Sequence, residues 1–234
     1  MECAKQRISA NVRRNLNFGH QSKCDYKRHT FYDFYLPCMK LIITRHGETE
    51  ENAAGIIQGH LPGKLSNIGI VQAKKVALRL KDEKIDFIYS SDLARTSDTA
   101  KEIAKFHLTV PIEFVKELRE KYLGEWQGKS KTELGFPKTL SIAGISPKDG
   151  ETFEELFNRA KKFLYNILTK HSKDTVLFAG HNSINKALIA VITNKTPDAI
   201  KSIENLHNTS ICIFEIDEDK NHKTCVFNCK EHLD

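Results

Sequence analysis

Short apolar runs alternate with amphipathic helical stretches through most of this sequence. Runs with the length of buried strands lie at 41–43, 85–90, 111–115 and 175–179. Two further strands, in which apolar and polar residues alternate, are predicted at 209–216 and 223–228. Strands that alternate with helices pair mainly in parallel, and helices then cover both faces of the sheet. We therefore predict an α/β fold, a three-layer α/β/α sandwich with a mainly parallel central sheet.

Composition limits the classes of partner. The chain has 234 residues, of which 40% are hydrophobic and 28% charged, as is typical of a soluble globular protein. Its apolar runs are all shorter than the roughly 18 residues that a membrane-spanning helix needs. The formal net charge of +6 is mild and does not favour nucleic acid as a partner. We expect neither a membrane nor a nucleic-acid partner.

The first 38 residues differ from the rest. They contain seven basic and three acidic residues and show no sustained helical or strand period. Their cysteines and histidines fit no compact ligand spacing, so we predict no metal site. We interpret 1–38 as a basic extension of little consequence, with Met39 as the functional start. Residues 39–234 are then predicted to form one domain.

The first apolar run ends abruptly in Arg45-His46-Gly47. In open α/β sheets, ligands bind beyond the carboxyl ends of the strands. An arginine offers a planar fork of donors that suits phosphate, and a neutral histidine can act as a nucleophile near pH 7. Gly47 allows the backbone to approach a ligand closely. These residues predict a phosphate site at the end of the first strand.

Three more polar residues fall beyond later strands. Arg95 lies in the first turn of a helix, where a cation opposes the helix dipole unless it binds an anion. His181 follows the fourth strand, and Glu120 lies in the loop after the third. We choose Glu120 over Glu117 and Glu125 because it directly follows Leu118-Arg119 and lies four residues before Gly124. Two arginines, two histidines and a carboxylate are the groups that phosphoryl transfer to a histidine requires.

Short motifs also recur in a characteristic order. They are Arg45-His46-Gly47-Glu48-Thr49 with Asn52, Gln58-Gly59, Leu65-Ser66 with Gly69, Ser90-Ser91-Asp92-Leu93-Ala94-Arg95-Thr96, Leu118-Arg119-Glu120 with Gly124 and Gly128, Gly150-Glu151-Thr152, Gly180-His181 and Asn208-Thr209-Ser210. With these motifs, residues 40–234 resemble the histidine phosphatase superfamily, the phosphoglycerate-mutase-like enzymes.

The resemblance implies roles for these residues. His46 would be the nucleophile that becomes phosphohistidine, and Glu120 would protonate the leaving oxygen and then activate water. His46 must be neutral to attack, so its other ring nitrogen should donate to a backbone carbonyl. The residues implied in phosphate or substrate binding are Arg45, Asn52, Gln58, Gly59, Arg95, His181 and Asn182. Neither a metal nor a cofactor is expected, because the two arginines neutralise the phosphate charge.

Two positions depart from the family pattern, and one role has an alternative. Asn182 follows the second histidine where many relatives carry glycine, and its side chain should either crowd the phosphate or add a contact. Gln127 stands where many relatives carry glutamate. Asn52 could instead serve as a helix or turn cap.

The resemblance favours a phosphomonoester hydrolase that acts on a small phosphorylated metabolite. The alternative is a 2,3-bisphosphoglycerate-dependent phosphoglycerate mutase, which needs extra basic groups and a longer, arginine-rich insertion. Residues 121–150 contain five lysines and no arginine, which favours the phosphatase. A third possibility is a non-enzymatic adaptor that binds partners through residues 1–38. The complete set of arginines, histidines and glutamate argues against it. We further predict a cytoplasmic protein whose partner is a small-molecule phosphate ester, with a homodimer as its possible assembly.

Overall fold

The structure, a computed structural model, describes residues 38–137 and 145–234. Apart from Cys38, the predicted extension lies outside the described residues. One sheet contains six strands: β1 (Met39–Arg45), β2 (Phe87–Ser91), β3 (Ile112–Val115), β4 (Thr175–Gly180), β5 (Ile211–Ile216) and β6 (His222–Cys229). Each of these strands lies within two residues of its predicted bounds.

The strand order across the sheet is β3-β2-β4-β1-β5-β6. The four strands from β3 to β1 pair in parallel, whereas β5 and β6 are added antiparallel at one edge. The prediction of a mainly parallel central sheet is therefore confirmed, and the two alternating strands at the end of the sequence are its antiparallel part.

The described helices are α1 (Glu50–Ala54), α2 (Asn67–Leu80), α3 (Ala94–Ala104), α4 (Phe153–Lys170), α5 (Asn182–Ile192) and α6 (Ala199–Ser202). Ser66 caps α2, and Thr152 forms a capping box with Glu155 at the start of α4. Helix α1 was not predicted, because five residues are too few to show an apolar repeat. Within the described ranges, every helix is too short or too polar to span a bilayer.

Both faces of the sheet are covered by helices. Leu41 and Ile43 of β1 pack in the cluster that includes α4 and α5. Ile42, between them, packs in the cluster that includes α2 and α3. Successive side chains of a strand point to opposite faces. A strand that is buried on both faces therefore has the continuous apolar run that marks β1 in the sequence.

The parallel register brings three strand ends to one edge of the sheet. Arg45, the last residue of β1, lies opposite Gly180, the last residue of β4. Ser90 of β2 lies opposite Ala179 of β4. The residues that directly follow these strands are therefore neighbours, and His46, His181 and Asn182 are among them.

Candidate active site

Two histidines meet at this edge of the sheet. His46 follows β1 and His181 follows β4, and the backbone N–H of His46 donates to the carbonyl oxygen of Gly180 at 3.1 Å. The two imidazole ring centroids are 5.1 Å apart. The structure thus brings together two histidines that are 135 positions apart in the sequence.

The imidazole of His46 is held in one tautomer. The ring is 3% exposed, and its Nδ1 lies 2.7 Å from the carbonyl oxygen of Gly47. Because a carbonyl oxygen can only accept, Nδ1 carries the proton and Nε2 carries the lone pair. Burial, together with the charges of Arg95 and Arg45, lowers the pKa of His46 well below its ordinary value. At neutral pH the ring is neutral, as a nucleophile must be.

The backbone around His46 is held by polar side chains from distant parts of the chain. The side-chain amide of Asn208 donates to the carbonyl oxygen of His46 at 3.0 Å. The N–H of Gly47 donates to the hydroxyl of Thr99 on α3 at 3.1 Å. These bonds fix the turn that follows β1, and with it the direction of the imidazole.

His181 is fully buried and lies between two hydroxyl groups. Its Nε2 is 2.9 Å from Oγ of Ser91 and 3.1 Å from Oγ1 of Thr96. Burial, and then the charges of Arg95 and His46, lower the pKa of His181 well below its ordinary value. The second imidazole is therefore also neutral at neutral pH.

Arg95 is 1% exposed, and the loop after α1 folds over its guanidinium. Nη2 donates to the carbonyl oxygen of Gly59 at 2.9 Å, and Nη1 donates to that of Pro62 at 3.1 Å. Burial lowers the pKa of Arg95 to about 10, so the group stays charged at neutral pH. Its Nε is buried without a hydrogen-bond partner among the described residues.

Arg45 shows the same combination of anchored and unpaired donors. Its Nη1 donates to the carbonyl oxygen of Leu206 at 2.6 Å, and its buried Nε has no hydrogen-bond partner in the described part of the chain. An unsatisfied buried donor costs about 1–3 kcal/mol. Phosphate oxygens accept strong, charge-assisted bonds from guanidinium groups. The unpaired donors of Arg45 and Arg95 are therefore suited to a phosphate beside the two histidines.

Glu120 is bound to the amino terminus of α5. Its Oε1 accepts from the N–H of Ser183 at 3.0 Å and from the N–H of Lys121 at 2.8 Å. Ser183 is in the first turn of α5, where the helix dipole favours a negative charge. The Glu120 carboxylate also acts electrostatically on Arg45 and Arg95, opposing the fall in the pKa of each. A carboxylate thus lies within electrostatic range of both arginines.

Side chains of two other segments form hydrogen bonds with the backbone at Glu120 and Arg119. His60 Nε2 donates to the carbonyl oxygen of Glu120 at 2.8 Å. Arg159 of α4 donates to the carbonyl oxygen of Arg119 at 2.9 Å and makes two bonds to the Glu151 carboxylate, of 2.8 and 2.7 Å. Nothing in the sequence marked Arg159, which is one of four basic residues in an amphipathic helix.

Asn52 and Gln58 both donate a hydrogen bond to the hydroxyl of Thr49. Asn52 forms a capping box with Thr49 at the start of α1, as its alternative role predicted. The Gln58 amide donates to Oγ1 of Thr49 at 2.8 Å, and its buried Oε1 has no described partner. Gln127, one of the two departures, accepts a bond from the N–H of His60 at 2.7 Å. Phosphate contacts by Asn52 and Gln58 stay predictions.

The side chain of Asn182 is turned away from the histidines. Its Nδ2 donates to Oδ1 of Asn205 at 3.1 Å, and its Oδ1 accepts from the N–H of Leu206 at 3.0 Å. Leu206 is the residue whose carbonyl oxygen anchors Arg45. In this structure the asparagine therefore fastens the loop that holds Arg45, and a direct contact between Asn182 and phosphate stays a prediction.

Comparison with known proteins decides the family. The profile described as "Histidine phosphatase superfamily (branch 1)" matches residues 41–228. The chain belongs to the histidine phosphatase superfamily. A metal-independent phosphoserine phosphatase of Arabidopsis thaliana is 34% identical to this histidine phosphatase over 77% of this chain and 78% of the relative. An adenosylcobalamin/alpha-ribazole phosphatase of Salmonella typhimurium is 31% identical over 65% of this chain and 78% of the relative.

Solved structures agree with this assignment. The phosphoserine phosphatase of Entamoeba histolytica, solved in complex with 3-phosphoglyceric acid, is 28% identical with a TM-score of 0.72. The superposition covers 83% of this chain and 99% of that structure. The predicted function and enzyme class are confirmed: this histidine phosphatase is a metal-independent phosphomonoester hydrolase that acts through a phosphohistidine on a small phosphorylated metabolite.

Several residues of the site were not assigned a role from the sequence. Ser91 and Thr96 belong to a motif that carried the resemblance, yet their contact with His181 depends on the sheet register.

Proposed function

We propose that His46 is the nucleophile of this phosphatase and Glu120 its proton-transfer group. In the first step, the lone pair on His46 Nε2 forms a bond to phosphorus as the bond to the leaving oxygen breaks. The protonated Glu120 carboxyl gives its proton to that oxygen. In the second step, the Glu120 carboxylate takes a proton from water, the water oxygen attacks phosphorus, and the N–P bond breaks. Inorganic phosphate and neutral His46 result.

Arg45, Arg95 and His181 hold the phosphate during both steps. The two guanidinium groups neutralise the charge on the phosphate oxygens, and preorganised charges of this kind stabilise the transition state without reorganising. The single observation that carries the proposal is the 2.7 Å bond from His46 Nδ1 to Gly47. This bond leaves Nε2 as the only nucleophilic nitrogen of the ring. The charges of both arginines add to burial in lowering the pKa of His46.

The composition of one segment also favours hydrolysis over phosphoglycerate isomerisation. The five lysines and absent arginines of 121–150 support it, because a mutase must bind a second phosphate. The cytoplasmic location, the homodimer, the exclusion of nucleic acid and the boundary at Met39 stay predictions.

A trapping experiment tests the mechanism. The enzyme is mixed with a phosphate monoester labelled in its phosphate and is quenched rapidly without acid. The protein should then carry one acid-labile, base-stable phosphate, at His46. The variant His46→Gln should show neither label nor turnover of p-nitrophenyl phosphate. His222→Gln, at the start of β6, serves as the control and should keep both. Turnover that persists in His46→Gln would refute the mechanism.

Product analysis tests the reaction class. With 3-phosphoglycerate and a 2,3-bisphosphoglycerate primer, the enzyme should release inorganic phosphate and form little 2-phosphoglycerate. Isomerisation that is faster than phosphate release would make the mutase the correct assignment.

A further inference from the structure

The loop at 204–207, between α6 and β5, anchors Arg45. The carbonyl oxygen of Leu206 accepts a bond of 2.6 Å from Nη1 of Arg45. The residues that follow this loop hold the same turn. The side-chain amide of Asn208 donates to the carbonyl oxygen of His46 at 3.0 Å, and the N–H of Thr209 donates to that of Arg45 at 3.0 Å. One short segment thus supports the Arg45 guanidinium and the backbone that carries His46.

Asn228, near the end of β6, holds this loop on both sides of Leu206. Its Oδ1 accepts from the N–H of His207 at 3.0 Å, and its Nδ2 donates to the carbonyl oxygen of Asn205 at 3.2 Å. The same Nδ2 donates to the Glu204 carboxylate at 2.8 Å. The Asn228 amide therefore bonds to three of the four residues of the loop, and the fourth is Leu206.

A β-bulge directs the Asn228 side chain onto the loop. The pairs Ile211–Cys229 and Ile213–Val226 enclose one more residue in β6 than in β5. Within this bulge Asn228 has a φ of 48°, in the left-handed region. Asparagine enters that region more readily than most residues, and bulges beside active sites commonly re-aim a side chain. The local backbone of β6 thus explains why an asparagine at this position reaches a loop outside its own sheet ladder.

Leu206 is also held by its own N–H. That group donates to Oδ1 of Asn182 at 3.0 Å. A peptide whose N–H is bonded to Asn182 and whose neighbours are bonded to Asn228 can turn its carbonyl oxygen through only a narrow range. The direction of that oxygen matters, because displacing a positioned group by about 1 Å can lower a reaction rate by roughly 100-fold.

We propose that Asn228 is a positioning residue for Arg45. By fixing the loop at 204–207 it directs the Leu206 carbonyl oxygen, and this oxygen holds the Arg45 guanidinium towards the phosphate. The proposal rests on the proposed function, in which Arg45 binds the phosphate. Asn228 acts through Arg45 and takes no part in the bond changes.

The dissociation constant of inorganic phosphate, measured by calorimetry, tests this role. Glycine adopts a φ of 48° without strain, so Asn228→Gly removes the side chain and leaves the bulge in place. Phosphate should bind this variant roughly 10-fold more weakly than the wild type, because a misdirected guanidinium loses part of a charge-assisted bond. The value of kcat/KM for p-nitrophenyl phosphate should fall in proportion. An unchanged dissociation constant would refute the proposal.

Asn194→Gly is the matched control. Asn194 is an exposed asparagine at the end of α5 with a φ of 53°, so the same substitution is made in the same backbone conformation. This variant should bind phosphate as the wild type does. An equal loss of affinity in both glycine variants would show that the effect is not specific to the loop, and would refute the role of Asn228.

A double-mutant cycle separates positioning from a general loss of structure. Arg45→Lys keeps a positive charge but lacks the forked donors that the loop directs. In the Arg45→Lys background, Asn228→Gly should weaken phosphate binding far less than it does in the wild type, because residues that act through one another are not additive. Additive losses would show that Asn228 acts by another route.

A rescue variant keeps the test decisive if Asn228→Gly does not fold. Asn228→Asp retains the acceptor for His207 but places a second carboxylate beside Glu204, so phosphate binding should weaken. Adding Glu204→Gln gives that carboxylate an amide donor and should recover at least part of the affinity. No recovery would refute the loop contact as the basis of the effect. Phosphate binding requires no turnover, so a wild type that binds phosphate but forms no phosphohistidine would refute the proposed nucleophile alone.

Discussion

His46 and His181 lie with their ring centroids 5.1 Å apart, and both imidazoles are buried beside two arginines. The pKa of each is lowered well below its ordinary value, chiefly by burial. Neither ring can take up a proton without placing a further positive charge among the guanidinium groups. Protonation of this pair therefore opposes the folded state as well as the reaction.

Stability should fall as the pH is lowered through the ordinary range of histidine. Below about pH 6.5 the unfolded chain binds protons that the folded chain does not, so the free energy of unfolding decreases with falling pH. Each buried histidine contributes at most about 1.4 kcal/mol per pH unit to this slope. Urea unfolding between about pH 7 and pH 5 should therefore show a shallower pH dependence in His181→Asn than in the wild type. His222→Asn should keep the wild-type slope, and an unchanged slope in His181→Asn would contradict the prediction.

The positions of the two histidines could be predicted from the sequence because they depend on local patterns. Apolar runs mark the strands, and the rule that ligands bind at strand ends does not require knowledge of the register. The structure adds the partners that depend on long-range packing. Ser91 reaches His181 because β2 pairs with β4, and Arg159 reaches the carbonyl oxygen of Arg119 because α4 packs against the segment after β3. No local pattern encodes such contacts.

The orientation of side chains at the edge of the site could not be predicted from the sequence either. Asn182 could be read as a phosphate ligand because it follows His181, yet its amide bonds to Asn205 and Leu206. That choice depends on the path of a loop more than 20 residues further along the chain. The helix-capping role of Asn52, by contrast, needs only the three-residue spacing to Thr49 and could be anticipated.

Replacing Glu120 by glutamine should separate the chemistry from the fold. The amide oxygen of Glu120→Gln can still accept from Ser183 and Lys121, but the side chain can neither donate a carboxyl proton nor act as a base. Hydrolysis of glycerol 3-phosphate should fall by roughly 10²–10⁴-fold in kcat. With p-nitrophenyl phosphate, whose leaving group needs no proton, a burst of nitrophenol should precede slow turnover.

Stopped-flow absorbance measures this burst, and Glu117→Gln is the matched control because Glu117 is exposed and three residues away. The control should hydrolyse both esters at the wild-type rate. Equal activity of Glu120→Gln and the wild type on glycerol 3-phosphate would assign the proton transfer to another group.

Arg159 should act as a positioning residue for Glu120. It donates to the carbonyl oxygens of Glu117 and Arg119 and pairs with Glu151, so Arg159→Met leaves a partly buried carboxylate and two carbonyls without this partner. We expect the free energy of unfolding to fall by about 1–3 kcal/mol. We also expect kcat to fall by roughly 10-fold or more, with a smaller change in KM, because the proposed proton donor is displaced while the arginines proposed to bind phosphate are not.

Urea unfolding and steady-state kinetics on glycerol 3-phosphate measure the two effects. Lys101→Met is the control, because Lys101 forms an exposed ion pair with Asp98 three residues away, and such pairs contribute at most about 0.5 kcal/mol. A rise in KM without a fall in kcat would place Arg159 in substrate binding instead.

A glycine contact between α2 and the turn after β1 should be essential to the geometry of His46. A Cβ atom on Gly69 would overlap the carbonyl oxygen of Glu48, and one on Gly47 would approach the carbonyl oxygen of Gly69. Helix propensity alone predicts that Gly69→Ala stabilises α2 by about 1 kcal/mol. The steric overlap predicts the opposite sign, a loss of roughly 1–3 kcal/mol, because backbone on both sides must move.

The displaced turn carries His46, so kcat for p-nitrophenyl phosphate should fall together with stability in Gly69→Ala. Val71→Ala, at an exposed position of the same helix, tests the propensity effect without the overlap and should leave both quantities nearly unchanged. Thermal unfolding and kinetics on the two variants decide between the effects. A Gly69→Ala enzyme that is more stable than the wild type and fully active would show that the turn after β1 can move without disturbing the nucleophile.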